Sequence, residues 1–330
     1  MTRSLSCLVL FLMAECLVLD ARAQTAWLPN LKALPASNLS LVYNSATGTN
    51  TLRFATTSWN NGTGPLHLEA GPLDPNNSGK QLVYQRIYNS DNSSTTRLAG
   101  SFTWHNGHNH FHFDDYATYT LQPVAATGGS ERTGSKTTFC VMDTTAVNVS
   151  IPNGSTNAHY VTCGNLFQGM SVGWGDTYGA QLVGQELNFT GNADGIYKLI
   201  IAVDPKTRIL ESNEADNVSC VLLDIKKPST VTLLDSSGAC STATSIAPNA
   251  TAAGSTVTVS IKGFGFTDGM AVAFEGGNGP KPVATSVQRI SDTEITATVS
   301  VPYKKNTGRD PVWDLRVGSG LLRNAFTVSR

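Results

Sequence analysis

Charge is scarce in this sequence. Asp, Glu, Lys and Arg make up 14% of its 330 residues, against about 25% in an average soluble protein. The signs nearly cancel, to a formal net charge of -1, so the chain offers no basic field for nucleic acid and no strongly charged partner surface. Cys-x-x-C pairs are missing, which argues against a thiolate zinc site or a dithiol redox motif. Long amphipathic helical patterns are missing too, and no apolar run is long enough for a transmembrane span. The one sustained apolar stretch, "CLVLFLMAECLVL" at 7–19, is short and is broken by Glu15. It follows Arg3 and precedes "ARA" before Gln24. That order is the pattern of a secretion signal over residues 1–23, cleaved after Ala23.

Removing residues 1–23 takes Cys7 and Cys16 with it and leaves Cys140, Cys163, Cys220 and Cys240. An even number of cysteines in an exported chain favours two disulfides. The spacings suggest Cys140–Cys163 and Cys220–Cys240, each closing a loop of about 20 residues and worth about 3 kcal/mol in the chain-entropy account. Three pairings remain possible from sequence alone.

What the chain does have is strand pattern. Runs such as "TLRFATTSW", "KQLVYQRIY", "YATYTLQPV", "GIYKLIIAVD", "SCVLLDI", "STVTVSIKG", "MAVAFEG", "EITATVSVP" and "WDLRVGSG" are rich in Val, Ile, Thr and Tyr. Each is bounded by Gly, Asn, Asp or Pro, so the expected fold class is all-β. A boundary falls near "STATSIAPN", because residues 242–330 contain neither His nor Cys. The expected division is 24–240 and 241–330.

Histidine is also rare, six in the chain, yet four stand in "WHNGHNHFHFDD": His105, His108, His110 and His112. On an extended strand alternate side chains share a face, so His108, His110 and His112 would point one way, about 7 Å apart. Three imidazoles on one face suit Cu(II), Zn(II) or Fe(II) alike, and their number does not choose among them. His105 has the opposite parity. The Asn-Gly pair at 106–107 is a turn signal that would let it fold back beside the others.

Several ordered motifs carry a family resemblance. "WHNGHNHFHFDDYATYTL" resembles the Trp-His-x-x-His-x-His-x-His copper motif of the lysyl oxidases. "GSKTTFCVMDT" is similar to that family's stretch around a lysine and a Phe-Cys pair, and "GWGDTYGAQLVGQELNFT" to its Asp-x-Tyr segment. "WLPNL", "LRFATTSWNNGTGPL" and "GIYKLIIAVDPKTRILESNEADNVSC" extend the likeness over residues 26–240. Downstream, "TSIAPNATAAGSTVTVSIKGFGFTDGMAVAFEG" resembles the immunoglobulin-like IPT/TIG domains, which carry fold rather than chemistry. The implied architecture is a lysyl-oxidase-type β-sandwich followed by an immunoglobulin-like β-sandwich.

The resemblance implies a specific chemistry. His108, His110 and His112 would ligate copper, and Lys136 and Tyr178 would be crosslinked into lysyl tyrosylquinone. That quinone would turn a primary amine or peptidyl lysine into an aldehyde, with ammonia released and O2 reduced to hydrogen peroxide. Asp176 would orient the site or act as a base. The likeness also favours the Cys140–Cys163 and Cys220–Cys240 pairings, and implies a calcium site at Asn30, Leu31, Glu211, Asn213, Asp216 and Asn217, oxygen donors of the hard type. One departure stands out: "DDYATYTL" lacks the histidine that the animal enzymes carry after the copper motif, leaving Asp114, Asp115 or Asp176 for the base. The resulting expectation is a secreted or surface copper amine oxidase. The rival is an exported metal-binding adhesion module that keeps the fold without building the quinone. In either case the C-terminal domain would be free to meet an extracellular protein or surface partner.

Overall fold

A computed structural model describes residues 24–107, 109–238, 240–303, 309–318 and 320–329. The expected signal peptide, residues 1–23, and the expected ligand His108 therefore lie outside the described residues. Within them the chain is all-β, with no α-helix, and no helix is long and apolar enough to cross a membrane. All nine strand-like runs named above fall on strands.

Residues 24–238 carry three sheets around one apolar cluster that includes Phe54, Phe102, Phe113, Tyr119, Phe139, Leu199 and Val221. The first sheet orders Phe167–Met170, Leu66–Leu73, Lys80–Asn89, Ser94–His105 and His110–Phe113, with Ala26–Trp27 added to Lys80–Asn89. The second orders Arg132–Thr133, Ala117–Ala125, Gly195–Val203, Val218–Lys226 and Thr230–Gly238. The third orders Thr145–Ala146, Trp174–Tyr178, Thr49–Asn60 and Glu186–Asn188, with Leu31–Ala33 and Ser37–Asn44 also on Thr49–Asn60.

Side-chain pattern explains this layering. In Gly195–Val203, Tyr197, Leu199, Ile201 and Val203 are buried and the residues between them are not. That period of two is a strand with one face on the core. Val218–Lys226 instead buries Ser219 to Leu223 without a break, as a strand covered on both faces must. Each large apolar side chain fully buried this way contributes roughly 1.5–3 kcal/mol.

Residues 242–329 build two four-stranded sheets around a second apolar cluster. One sheet supplies Val259, Ile261, Ile295, Ala297 and Val299, and the other Phe274, Trp313, Leu315, Val317 and Phe326. Both expected disulfides are present, Cys140–Cys163 and Cys220–Cys240.

Candidate active site

The histidine run is not one strand. Ser94–His105 ends at His105, the chain turns, and the strand resumes at His110–Phe113. Asn109 takes a left-handed φ of 57° to make that turn, a conformation asparagine tolerates better than most residues. Of the three histidines expected on one face, the two described ones, His110 and His112, stand on the same strand. The hairpin pairs His105 with His110 and Thr103 with His112. The turn signal thus outweighed strand parity, and His105 comes back beside its partners.

The resulting imidazole cluster is tight. The His105 and His112 rings stack with centroids 4.7 Å apart, and His110 Nε2 lies 2.9 Å from His112 Nε2. Two imidazole nitrogens that close can both reach one ion through bonds of about 2.0–2.1 Å. His112 is buried, and its other ring nitrogen, Nδ1, bonds Thr138 Oγ1 at 3.0 Å. In the Nδ1–H tautomer that bond fixes the ring and leaves the Nε2 lone pair for a metal, the usual arrangement around a ligating histidine. Burial and the neighbouring His105 and Lys136 lower the pKa of His110, which favours the neutral, ligating form. The donor set therefore fits a borderline transition metal such as copper.

Two backbone pairings bring the remaining groups to this hairpin. Phe139 and Phe113 exchange hydrogen bonds of 2.7 and 3.1 Å, and Tyr116 N–H donates to Thr137 O at 2.9 Å. The segment 136–140 is thereby laid along the histidine strand. On its other side Trp174–Tyr178 pairs with Thr49–Asn60, placing Asp176 opposite Ser58 and Tyr178 opposite Thr56.

Lys136 and Tyr178, 42 residues apart in the chain, meet here. Lys136 Nζ sits 5.1 Å from the Tyr178 ring centroid and 4.8 Å from that of Phe139. Burial lowers the Lys136 pKa, with Asp176 pulling the other way, so more of the amine is unprotonated than in water. The Tyr178 hydroxyl accepts from Cys140 N–H and lies 3.0 Å from Cys140 O as donor. Its ring stands edge-on to Phe139 at 4.9 Å. Gly184 explains how the lysine fits: its φ is +84°, and a Cβ there would lie 2.8 Å from Lys136 Cβ and Cδ.

Of the three acids considered for the base, only Asp176 faces the site. Asp114 is buried against Lys80, Ser101 and Thr103, all at 2.7–2.8 Å. Asp115 is paired with Lys206 and Arg208, each at 3.0 Å. Asp176 is buried and its Oδ2 has no hydrogen-bond partner. Burial pushes its pKa well above the carboxylate range, only partly offset by the Met142 backbone and, less, by Lys136. Together with Tyr178 and His110 it lines a cavity of about 400 Å³.

The calcium candidates gather elsewhere. Glu211 accepts from Leu31 N–H and, at 2.6 Å, from Asn217 Nδ2. Asn30 Nδ2 donates to Asp216 Oδ2 at 3.3 Å, and Lys32 pairs with that oxygen at 2.9 Å. Asn30 Oδ1, Asp216 Oδ1 and Asn217 Oδ1 are buried acceptors without partners, so the oxygens present suit a hard cation. Asn213 is exposed and caps Ala215 N–H. Sequence reasoning missed Asp204 and Glu214, whose carboxylate oxygens lie within 4.8 Å of Glu211's. The Asp-Pro turn and the Glu-x-x-Glu spacing were the available signals.

Comparison with known proteins finds similarities over this part of the chain. Human lysyl oxidase homolog 1 is 33% identical over 137 residues, covering 41% of this chain and 22% of its own length. Human protein-lysine 6-oxidase is 32% identical over the same extent, 31% of its length. The pig protein-lysine 6-oxidase is 31% identical, with 52% of its length covered. The alignments thus span between about a fifth and about half of these curated relatives. The lysyl oxidase family model matches residues 80–232, a stretch that includes His105, His110, His112, Lys136, Asp176 and Tyr178.

Proposed function

We propose that the chain is an exported copper-dependent amine oxidase that deaminates primary amines or peptidyl lysine. The observation that carries this reading is the packing of the Lys136 amine on the Tyr178 ring, 5.1 Å from its centroid, beside an imidazole cluster and a buried acid. His110 and His112, with His108 as the third ligand and His105 stacked against them, would hold the copper. Bound there, copper would supply with O2 the oxidation of the Tyr178 ring to a quinone that Lys136 joins, and the quinone would supply the electron sink for amine oxidation.

The chain's own residues account for the rest. The Cys140 backbone fixes the Tyr178 hydroxyl, so the ring under the Lys136 amine is held in place. Loss of hydration around Lys136 Nζ favours its unprotonated, nucleophilic form. Asp176, which lines the cavity and whose Oδ2 has no hydrogen-bond partner, would take a proton from the substrate carbon next to the amine and return it on release. Its raised pKa makes its ionised form a stronger base than a solvated aspartate. The Cys140–Cys163 disulfide ties the Tyr178 anchor to the loop at Cys163.

In the same reading residues 24–240 are the catalytic module. Residues 241–330 are an immunoglobulin-like IPT/TIG module that presents it to an extracellular or surface partner. The Asn30, Glu211, Asp216 and Asn217 oxygens, with Leu31 and Asn213 adjoining, would hold a structural calcium.

The test is direct. Copper-loaded protein digested with trypsin should yield one crosslinked species joining the peptides of Lys136 and Tyr178, with no cleavage at Lys136. Tyr178→Phe should bind copper and release no peroxide from amines. Copper uptake with no crosslink and no quinone absorption would instead support the metal-binding adhesion module.

A further inference from the structure

The cavity in front of Tyr178 has a composition that narrows what can enter it. Its walls are Met142, the Cys140–Cys163 disulfide, Leu182 and Val183, with Thr144 and Thr177 as neutral polar groups. Among the described lining residues the only ionisable side chains are Asp176, His110 and Tyr178, the groups already placed at the reacting end. Lys136 lies beyond Val183, in the adjoining cleft with His105, so no cation lines the entrance either.

The rim is apolar although it is wet. Leu182 is 42% and Val183 74% exposed, an arrangement with no packing purpose at these two side chains. The loop that carries them is held firmly from behind. Arg53 Nε donates to Ala180 O at 2.7 Å, Arg53 Nη2 donates to Leu182 O at 3.0 Å, and Nη1 pairs with Glu186. Leu182 N–H closes a turn on Gly179 O at 3.0 Å. Arg53 and Glu186 neutralise each other there and offer no charge to the cavity. The loop is thus a fixed apolar lip rather than a strand that failed to pack.

We propose that this cavity selects amines carried on a neutral apolar arm, and that Leu182 and Val183 are specificity-determining residues that reject a second positive charge close to the reacting amine. The inference deepens the amine oxidase reading and rests on it for the orientation of the substrate. A primary amine on an alkyl chain or single ring places its amino group at Tyr178 and Asp176 and its carbon arm against Met142, the disulfide and the lip. A short diamine must leave its second ammonium among the same groups, where the one carboxyl among the described lining residues, Asp176, is already taken up by the reacting amine, and an unpaired charge taken out of water is costly. A peptidyl lysine enters by its four-carbon stem, which is apolar, and so fits when its neighbours in the peptide are neutral.

The matched pair n-butylamine and 1,4-diaminobutane differs only by that second ammonium. Binding to the full-length, copper-free protein is measured by ligand-observed NMR, and peroxide release by the copper-loaded protein is measured with the same pair. The monoamine should be favoured by about tenfold in both readouts. The double substitution Leu182→Asp with Val183→Asp should bring the ratio close to one, chiefly by improving the diamine. Both side chains are exposed, and Arg53 holds the loop through backbone oxygens, so the variant keeps the fold. Equal or tighter binding of the diamine, an unchanged ratio in the double variant, or binding of neither amine overturns the proposal. A binding preference without peroxide from either amine leaves the specificity intact and sinks the oxidase reading instead.

Discussion

Asp176 shows the cost of function at the scale of one residue. Burial disfavours the anion of this carboxyl, one oxygen of which is buried without a hydrogen-bond partner. Its folded pKa stands above its unfolded value, so the folded state keeps a proton that the unfolded chain sheds. Stability from this group is therefore present in full at acid pH. It falls as pH rises from the unfolded value towards the folded one. Asp176→Asn keeps the shape and removes the titration. In the copper-free protein the variant should be more stable than wild type at neutral pH, by about 1–3 kcal/mol, and indistinguishable near pH 3. Amine-dependent peroxide release should fall at least a hundredfold, the low end of what general acid–base groups supply. Thermal melts across that pH range check the first claim, and a flat difference between the two proteins would contradict it.

Thr138 tests the imidazole cluster at the same scale. Its hydroxyl meets His112 Nδ1 at 3.0 Å, so Thr138→Val removes the partner without changing shape. Loss of such a supporting bond typically weakens metal affinity about 10–100-fold. Copper titration against a competing chelator measures it, and unchanged affinity would mean that the ring needs no such support.

Elements, rather than residues, decide how the site is assembled. The chemical identities were legible in the sequence because Lys136, Asp176, Tyr178 and the histidines each stand in a compact motif. Their convergence was not, because it depends on the Phe113–Phe139 pairing and on strand Trp174–Tyr178 lying along Thr49–Asn60. At His105 strand parity pointed away and the Asn-Gly turn signal pointed back, and the pairing of His105 with His110 follows the turn signal. Nor could the sequence show that the Gly179–Gln185 loop folds over the lysine. Gly184 is the position where that loop touches it, at a φ of +84° that disfavours any Cβ. Gly184→Ala is expected to displace Lys136 from the Tyr178 ring. Copper should then bind as in wild type while crosslink formation, followed by peptide mapping, slows at least tenfold. Normal crosslinking in this variant would show that the lysine reaches Tyr178 by another path.

At the scale of the whole molecule the chain holds two apolar clusters, and the site uses only one. Every residue of the candidate site lies in 24–240, around the cluster that contains Phe113, Phe139 and Tyr119, with Tyr178 packed against it. Histidine and cysteine stop near "STATSIAPN", and the buried residues of the second cluster run from Ala243. Leu315 is fully buried in that second cluster. Leu315→Ala should cost about 2–5 kcal/mol through lost burial and the cavity left behind. If the two cores melt separately, calorimetry will show two transitions, and the substitution will lower only one of them. Copper binding, the Lys136–Tyr178 crosslink and the monoamine preference should all be unchanged, because none of the described residues lining the cavity lies on a strand of the second cluster. A single merged transition, or a loss of crosslinking in Leu315→Ala, would mean that the C-terminal sheets support the site energetically. Their role would then be structural for catalysis rather than presentation to a partner.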